Sequence, residues 1–295
     1  ARMGGKPVIR RVEFVANTLS GSVSASAPDE AQKILAEYGV EANVCAPESG
    51  DLVNCLRRAV DRAPDVLMVL AGDGTARTAA EMCGVDGPMV APLPGGTMNL
   101  LPRAVYGTTD WQAALRQTLE TGVSKPIGGG VVEGHTFLVG AILGSPALWA
   151  PAREAIRERR IFTALSRARH AYRRAFSGRL RVAFDGGARG KAEAITFICP
   201  LASKALPDEE QRLEAAVLDL SGAVDAFRLG VHAIAGDWRK DPKVEVVTCR
   251  EARAWAASGI PALLDGESVK LKSVTEVHWR PCVANVFAPP EEHGV

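Results

Sequence analysis

The sequence predicts a chain of two parts, an α/β N-terminal domain and a mainly β C-terminal domain. Over the first 125 residues, short apolar runs alternate with apolar residues at helical spacing. The run Val66–Leu70 is continuously apolar, which is typical of a strand covered on both faces. The rhythm changes after Lys125, where glycines cluster at 128–130, so the boundary is predicted near residues 124–130.

Strands and helices alternate through the first part. The predicted elements are a strand at 12–16, a helix at 31–38, an extended segment at 40–45, a helix at 52–60, a strand at 65–70, a helix starting near 75, a strand at 89–93 and a helix at 111–119. Asp110 is the predicted N-cap of the last helix. This order favours a parallel sheet with helices on both faces.

The second part is predicted to be mostly β, interrupted by one basic helix at 152–176. A first hairpin is predicted from 131–132 and 137–143, and a second from 179–184 and 192–198 around an Asp-Gly-Gly turn. Further strands are predicted at 214–220, 243–248, 252–256, 274–279 and 283–287.

Composition excludes several classes of protein. The formal net charge of +1 gives no indication of a nucleic-acid partner. The six cysteines form no CxxC pair, so we expect buried thiols in a reducing compartment. The longest uncharged apolar stretch, 136–150, is too short for a membrane span, and no signal peptide is recognisable. We therefore expect a cytoplasmic protein.

Two glycine-rich loops follow predicted strands at their carboxyl ends, which is where open α/β folds bind ligands. One loop is Ala71–Thr75 and the other is Pro94–Asn99. Glycines let the backbone approach a ligand closely, and the amides at the start of the following helices attract anions. Together the loops predict a phosphate site, although each alone is also compatible with a tight strand-to-helix turn.

Asp73 is unexpected in a phosphate site, because a carboxylate repels phosphate. It fits if it holds a magnesium ion or accepts a proton from an acceptor hydroxyl. Arg77 stands where a dinucleotide fingerprint would have its third glycine, and no G-x-x-x-x-G-K-[ST] sequence occurs.

Four motifs resemble those of the diacylglycerol kinase, sphingosine kinase and bacterial lipid kinase family. Ala71–Thr75 resembles GGDGT, and Pro94–Asn99 resembles P-x-G-T-x-N. Asn17–Gly21 resembles N-P-x-S-G, and Leu264–Glu267 resembles L-D-G-E. They stand in family order and near family spacing over almost the whole chain.

The resemblance implies an NAD kinase/phosphofructokinase-like α/β domain at 1–125 and a C-terminal β-sandwich lipid-substrate domain at 126–275. Residues 276–295 are expected to return to the first domain. The implied function is ATP-dependent transfer of the γ-phosphate to a hydroxyl of a diacylglycerol-like lipid, with ATP and Mg²⁺ as cofactors. Two alternatives stay open: a soluble-substrate kinase of the NAD kinase type, and a non-catalytic nucleotide- or lipid-binding member.

The resemblance also implies roles for individual residues. Glu267 matches the general base that deprotonates the lipid hydroxyl, with Asp73 as the second candidate, although Glu267 is also compatible with a simple turn carboxylate. The predicted nucleotide-binding residues are Asn17, Gly21, Gly72, Asp73, Gly74, Thr75, Gly96, Thr97 and Asn99.

Some positions depart from the family pattern. Ala71 replaces the first motif glycine, Thr18 replaces a proline, and Gly128 stands where many relatives carry an aspartate. The segment 207–213 aligns poorly with the family's D-D-G-x-L, which in some bacterial members holds a structural magnesium. Its acidic residues are Asp208, Glu209 and Glu210. No metal ligand is assigned.

The basic helix predicted at 152–176 interleaves arginines with apolar residues. Such a helix can lie on an anionic surface, so we expect peripheral contact with the inner membrane face and a lipid substrate as partner. A solvated helix packed on its own sandwich is the alternative. The sequence predicts no oligomeric state.

Overall fold

The computed structural model describes residues 9–144, 180–203, 206, 210–218 and 244–290. These residues divide into two compact units, one formed by the chain up to Gly128 together with the chain from Pro281 onwards, and the other by the chain between them. The basic segment 152–176, Asp208 and Glu209 lie outside the described residues. Within those ranges, no helix has both the length and the apolar character needed to cross a bilayer.

The first unit is a parallel β-sheet with helices on both faces. Its elements are β1 (Arg11–Ala16), α1 (Ala27–Glu37), β2 (Glu41–Cys45), α2 (Leu52–Asp61), β3 (Val66–Ala71), α3 (Asp73–Cys83), β4 (Met89–Pro94), α4 (Leu100–Tyr106) and α5 (Trp111–Thr121). The strand order is β2-β1-β3-β4, with parallel pairing throughout. The end of the last strand of the chain, at Val286, adds a parallel pairing with Val90 of β4.

Burial on both faces explains the apolar strands of this sheet. All six residues of β3 are buried. Phe14 and Met68 pack on one face with residues of α1 and α5, whereas Val15 and Leu67 pack on the other with residues of α2 and α3. The predicted N-cap is confirmed, because the Asp110 carboxylate accepts hydrogen bonds from the first turn of α5.

The second unit is a β-sandwich. Its elements are β5 (Val123–Val132), β6 (His135–Phe137), β7 (Gly140–Gly144), β8 (Leu180–Phe184), β9 (Gly190–Ala192), β10 (Ala194–Ile198), a 3-10 helix (Pro200–Ala202), β11 (Leu213–Leu218), β12 (Val244–Cys249), β13 (Glu251–Trp255), β14 (Ile260–Leu264), β15 (Glu267–Leu271) and β16 (Val274–Ala288). The first half of β5 and the last half of β16 belong to the first unit. One sheet has the order β12-β11-β10-β7-β14-β15. The facing sheet pairs β16 with β13, β13 with β8, and β8 with β9. Buried apolar residues of both sheets form one core.

The predicted hairpin of 179–184 and 192–198 is wrong in its second strand. β8 turns back at Asp185 and pairs with the short β9, whereas β10 lies in the opposite sheet between β7 and β11. Ile195 and Phe197 of β10 are fully buried in the sandwich core. An apolar pattern of this kind shows that a strand is half-buried but does not say which sheet it joins.

The predicted strands 274–279 and 283–287 are one continuous strand, β16. Pro281 lies between them. A proline lacks a backbone donor, but it can occupy a strand position whose donor is not required for pairing.

Candidate active site

Three loops emerge at the carboxyl ends of adjacent parallel strands of the first unit. The loop Asn17–Gly21 follows β1, Gly72–Thr75 follows β3, and Gly95–Asn99 follows β4. Because β3 lies between β1 and β4, the three loops are neighbours. Backbone hydrogen bonds fix their starting points: Asn17 N donates to Leu70 O at 2.9 Å, and Gly95 N donates to Ala71 O at 3.1 Å.

The second and third loops meet at their glycines. A Cβ on Gly96 would lie 2.7 Å from the Cα of Gly72, a separation that real side chains do not reach. Only glycine allows the two backbones to approach so closely.

The first loop contacts the third. A Cβ on Gly21 would lie 3.3 Å from Oγ1 of Thr97, and the Ser22 hydroxyl donates to Gly96 O at 3.0 Å. The structure therefore brings all three glycine-containing loops into one cluster.

Asn99 holds the third loop in shape. Its backbone adopts the left-handed conformation, with φ 49° and ψ 45°. Its side-chain oxygen accepts from Gly96 N at 2.7 Å, and its side-chain amide donates to Gly96 O at 2.9 Å. Asparagine suits the position because it tolerates this conformation and supplies both a donor and an acceptor.

Asp73 is the first residue of α3, and its carboxylate links this helix to the third loop. Oδ1 accepts a hydrogen bond from Leu101 N at 2.9 Å, at the start of α4. Burial raises the pKa of Asp73, and the hydrogen bond from the Leu101 amide partly offsets this effect. Asp73 therefore has a structural contact in addition to either of the chemical roles predicted for it.

Gly74 and Thr75 lie in the first turn of α3. Thr75 N donates to Gly72 O at 3.1 Å, and Thr78 Oγ1 donates to Gly74 O at 2.9 Å. On the third loop, Thr97 is exposed. The cluster thus combines the start of a helix, flexible glycine backbone and threonine hydroxyls, a combination suited to phosphate.

Glu267 lies in the second unit, as the first residue of β15. It pairs with Leu264 across the β14–β15 hairpin, and it is exposed. Asp265 and Gly266 form the turn between the strands, with φ values of 46° and 91°.

Within the ranges that the structure describes, candidate metal ligands are not grouped together. Histidine, cysteine, aspartate and glutamate do not form any group of three suited to a metal ion there. Glu210 Oε1 lies 3.7 Å from Nε of Arg212.

Sequence reasoning missed two contributors. Ser22 follows the first loop motif directly, but no pattern in the sequence indicates its bond to Gly96. Asp265 was noted only as a motif residue, yet its carboxylate accepts backbone hydrogen bonds from a segment more than 120 residues earlier. Contacts at such separation leave no local signal.

Residues 11–129 match the family described as the diacylglycerol kinase catalytic domain. The match includes all three loops of the cluster, so the predicted resemblance is confirmed. Kinase chemistry is characteristic of the diacylglycerol kinase family.

Solved structures share the fold of this chain. A crystal structure of a diacylglycerol kinase from Bacillus anthracis str. Sterne is similar with a TM-score of 0.70 at 14% identity, covering 97% of this chain and 99% of that one. An NAD kinase from Archaeoglobus fulgidus in complex with ATP is similar with a TM-score of 0.51 at 13% identity, covering 94% and 93%. These similarities confirm the predicted combination of an NAD kinase-like α/β part and a β-sandwich.

Proposed function

We propose that the chain is an ATP-dependent lipid kinase that transfers the γ-phosphate to a hydroxyl of a diacylglycerol-like lipid. The observation that carries the proposal is the meeting of the two motif loops at Gly72 and Gly96. Two glycine-containing loops at adjacent strand ends provide one surface for a polyphosphate, whereas separate turns would not.

Gly72 supports a ligand at this surface in particular. Its backbone, with φ −77° and ψ 167°, is accessible to any residue. A Cβ there would make only ordinary contacts, 3.7 Å from Oγ of Ser20 and 3.9 Å from the Cα of Gly96. The fold therefore does not require glycine at this position, but close approach of a phosphate to the backbone does.

The start of α3 supplies the attraction for an anion. Its first turn follows Gly72 directly, and the positive end of an 11-residue helix favours negative charge. A magnesium ion, when bound, would neutralise part of the charge on the phosphate oxygens. Asp73 is the predicted nucleotide-binding residue of this cluster that has a carboxylate to hold such an ion.

Glu267 is the proposed general base. It would accept the proton of the lipid hydroxyl while the new oxygen–phosphorus bond forms and ADP departs with the bridging oxygen. Exposure of Glu267 is compatible with this role, because the residue must be reachable by a substrate.

The test is phosphate transfer by the purified chain with γ-labelled ATP and Mg²⁺. Acceptors are vesicles containing diacylglycerol, vesicles without it, and NAD. The matched variants are Glu267→Gln and Glu245→Gln, the latter removing another exposed carboxylate of the sandwich. We expect labelled lipid from wild type and Glu245→Gln but not from Glu267→Gln. Labelled NAD would favour the soluble-substrate alternative, and ATP binding without transfer would favour the non-catalytic one.

We also propose that the basic segment 152–176 brings the protein to anionic membrane. Its support is the interleaving of arginines and apolar residues in the sequence. Sedimentation with anionic and with neutral vesicles tests this proposal. Stronger binding to anionic vesicles is expected, and equal binding to both would contradict it.

A further inference from the structure

The turn that precedes Glu267 is tightly specified by its own sequence. Leu264 pairs with Glu267, which leaves Asp265 and Gly266 as a two-residue loop. Both loop residues have positive φ, at 46° and 91°. This is the geometry of a type I′ hairpin turn, for which Asp-Gly is a favoured sequence.

The Asp265 side chain does more than suit the turn. Only 6% of the residue is exposed. Its Oδ2 accepts from Leu138 N at 2.7 Å, and its Oδ1 accepts from Val139 N at 3.0 Å and from Gly140 N at 2.9 Å. Asp265 N in turn donates to Gly140 O at 2.9 Å.

These bonds fasten the hairpin to the segment between β6 and β7. Hydrogen bonds to a carboxylate are stronger than those between neutral groups, and buried ones are costly to lose. The segment is also held by Cys199, whose backbone amide donates to Val139 O at 2.9 Å. The turn is therefore clamped onto backbone that has a second attachment of its own.

We propose that Asp265 is a positioning residue that sets the place of the Glu267 carboxylate. The inference rests on the proposed function, in which Glu267 is the general base. Glu267 is two residues from the clamped side chain, at the first position of β15. Displacement of a catalytic group by about 1 Å can reduce a rate a hundredfold, so an anchor this close controls catalysis without touching substrate.

The second unit contains a matched control for this clamp. Asp185 occupies another Asp-Gly turn with positive φ, at 47° and 74°. Its Oδ1 accepts from Arg250 N and Glu251 N, both at 2.9 Å. The residue two positions later is Gly187, which has no side chain to position.

The experiment compares Asp265→Asn with Asp185→Asn in the full chain. Asparagine keeps one acceptor oxygen. Its side-chain NH₂ replaces the other oxygen, so that a donor would face a backbone N–H, which is also a donor. We expect Asp265→Asn to lower kcat for lipid phosphorylation about tenfold to a hundredfold, with KM for ATP unchanged, because it misplaces the base only. Asp185→Asn is expected to leave kcat unchanged.

Amide hydrogen exchange provides a readout independent of activity. Asp265→Asn should speed exchange at 138–140, and Asp185→Asn should speed it at 250–251. Equal kcat in the two variants, with each clamp loosened as expected, would overturn the inference.

Two further variants cover the remaining outcomes. Glu267→Asp keeps the turn but withdraws the carboxylate by one methylene, so it should lower kcat even if Asp265→Asn does not fold. A wild-type rate for Glu267→Asp would contradict the need for positioning. Full transfer by Glu267→Gln would remove the base role from the proposed function itself, whereas loss in Glu267→Gln with normal Asp265→Asn would remove the present inference alone.

Discussion

The two units hold their candidate residues by different physical means. In the first unit, glycine backbones touch, and a Cβ on Gly96 would come within 2.7 Å of Gly72. In the second unit, the buried Asp265 carboxylate accepts three hydrogen bonds from backbone amides of another segment. The contact in the first unit depends on the absence of a side chain at Gly96. The contact in the second unit depends on the charged side chain of Asp265.

This difference predicts opposite sensitivities. In the first unit, even a methyl group at Gly96 should be damaging, because it would meet the backbone of Gly72 in a closely packed contact. The hairpin of the second unit should be damaged by loss of charge at constant size. Shape thus governs the glycine-containing loops of the first unit, and charge governs the hairpin that carries the proposed base in the second unit.

The largest effect is expected for Glu267→Gln. Loss of a general base lowers a rate by about 10²- to 10⁴-fold, so kcat for lipid phosphorylation should fall by that factor. Because the side chain is exposed, the melting temperature should stay within about 1 °C of wild type, since surface substitutions have little effect on stability. Steady-state kinetics and calorimetry, with Glu245→Gln as control, measure both. If Glu267→Gln kept its activity, the difference between the two units would concern their structure and not catalysis.

Asp73→Asn should separate activity from stability. We expect transfer to fall by about a hundredfold or more, the usual cost of losing an electrostatic group at the reacting phosphates. The asparagine oxygen can still accept from Leu101 N, so the link to α4 survives.

The stability of Asp73→Asn should depend on pH in a defined direction. Burial raises the pKa of Asp73 above its ordinary value of 3.8, so the folded state holds the proton more tightly than the unfolded state. The wild-type contribution is thus favourable below pH 3.8 and is lost as pH rises through the raised pKa. Relative to wild type, Asp73→Asn should gain stability across that interval, which unfolding titrations at several pH values would show. If Asp73→Asn instead lost stability relative to wild type as pH rises, the raised pKa of Asp73 would be contradicted.

Gly96→Ala and Gly72→Ala should show the smallest but most specific contrast. The methyl of Gly96→Ala meets backbone, and overpacking of this kind costs about 1–3 kcal/mol. Gly72→Ala meets only ordinary contacts and should keep wild-type stability while raising KM for ATP. Chemical denaturation and kinetics together test the pair. Equal stability of the two variants would mean that the loops do not press on one another.

Local chemistry made the first unit largely predictable from sequence. The run Val66–Leu70 is apolar because both faces of β3 are covered, and the glycines that follow it mark the loop directly. Asn99 was predicted as a binding residue, but its bonds to Gly96 were not, since side-chain pairing within a loop depends on its left-handed backbone.

The second unit was less predictable because its determinants are distant in sequence. The pairing of β10 with β7 and β11, rather than with β8, follows from packing across the sandwich and not from the turn at Asp185. The Asp265 clamp likewise joins residues 125 to 127 positions apart. Only the turn itself, an Asp-Gly pair, was visible locally.

Three loops of the first unit are proposed to form one phosphate site. Amide hydrogen exchange of the intact protein, with and without ATP and Mg²⁺, tests it most directly. We expect ATP to slow exchange at 72–75 and 95–99 together, with 17–21 protected at the same nucleotide concentration. Protection of one loop without the other two, or of none while nucleotide is bound, would contradict it.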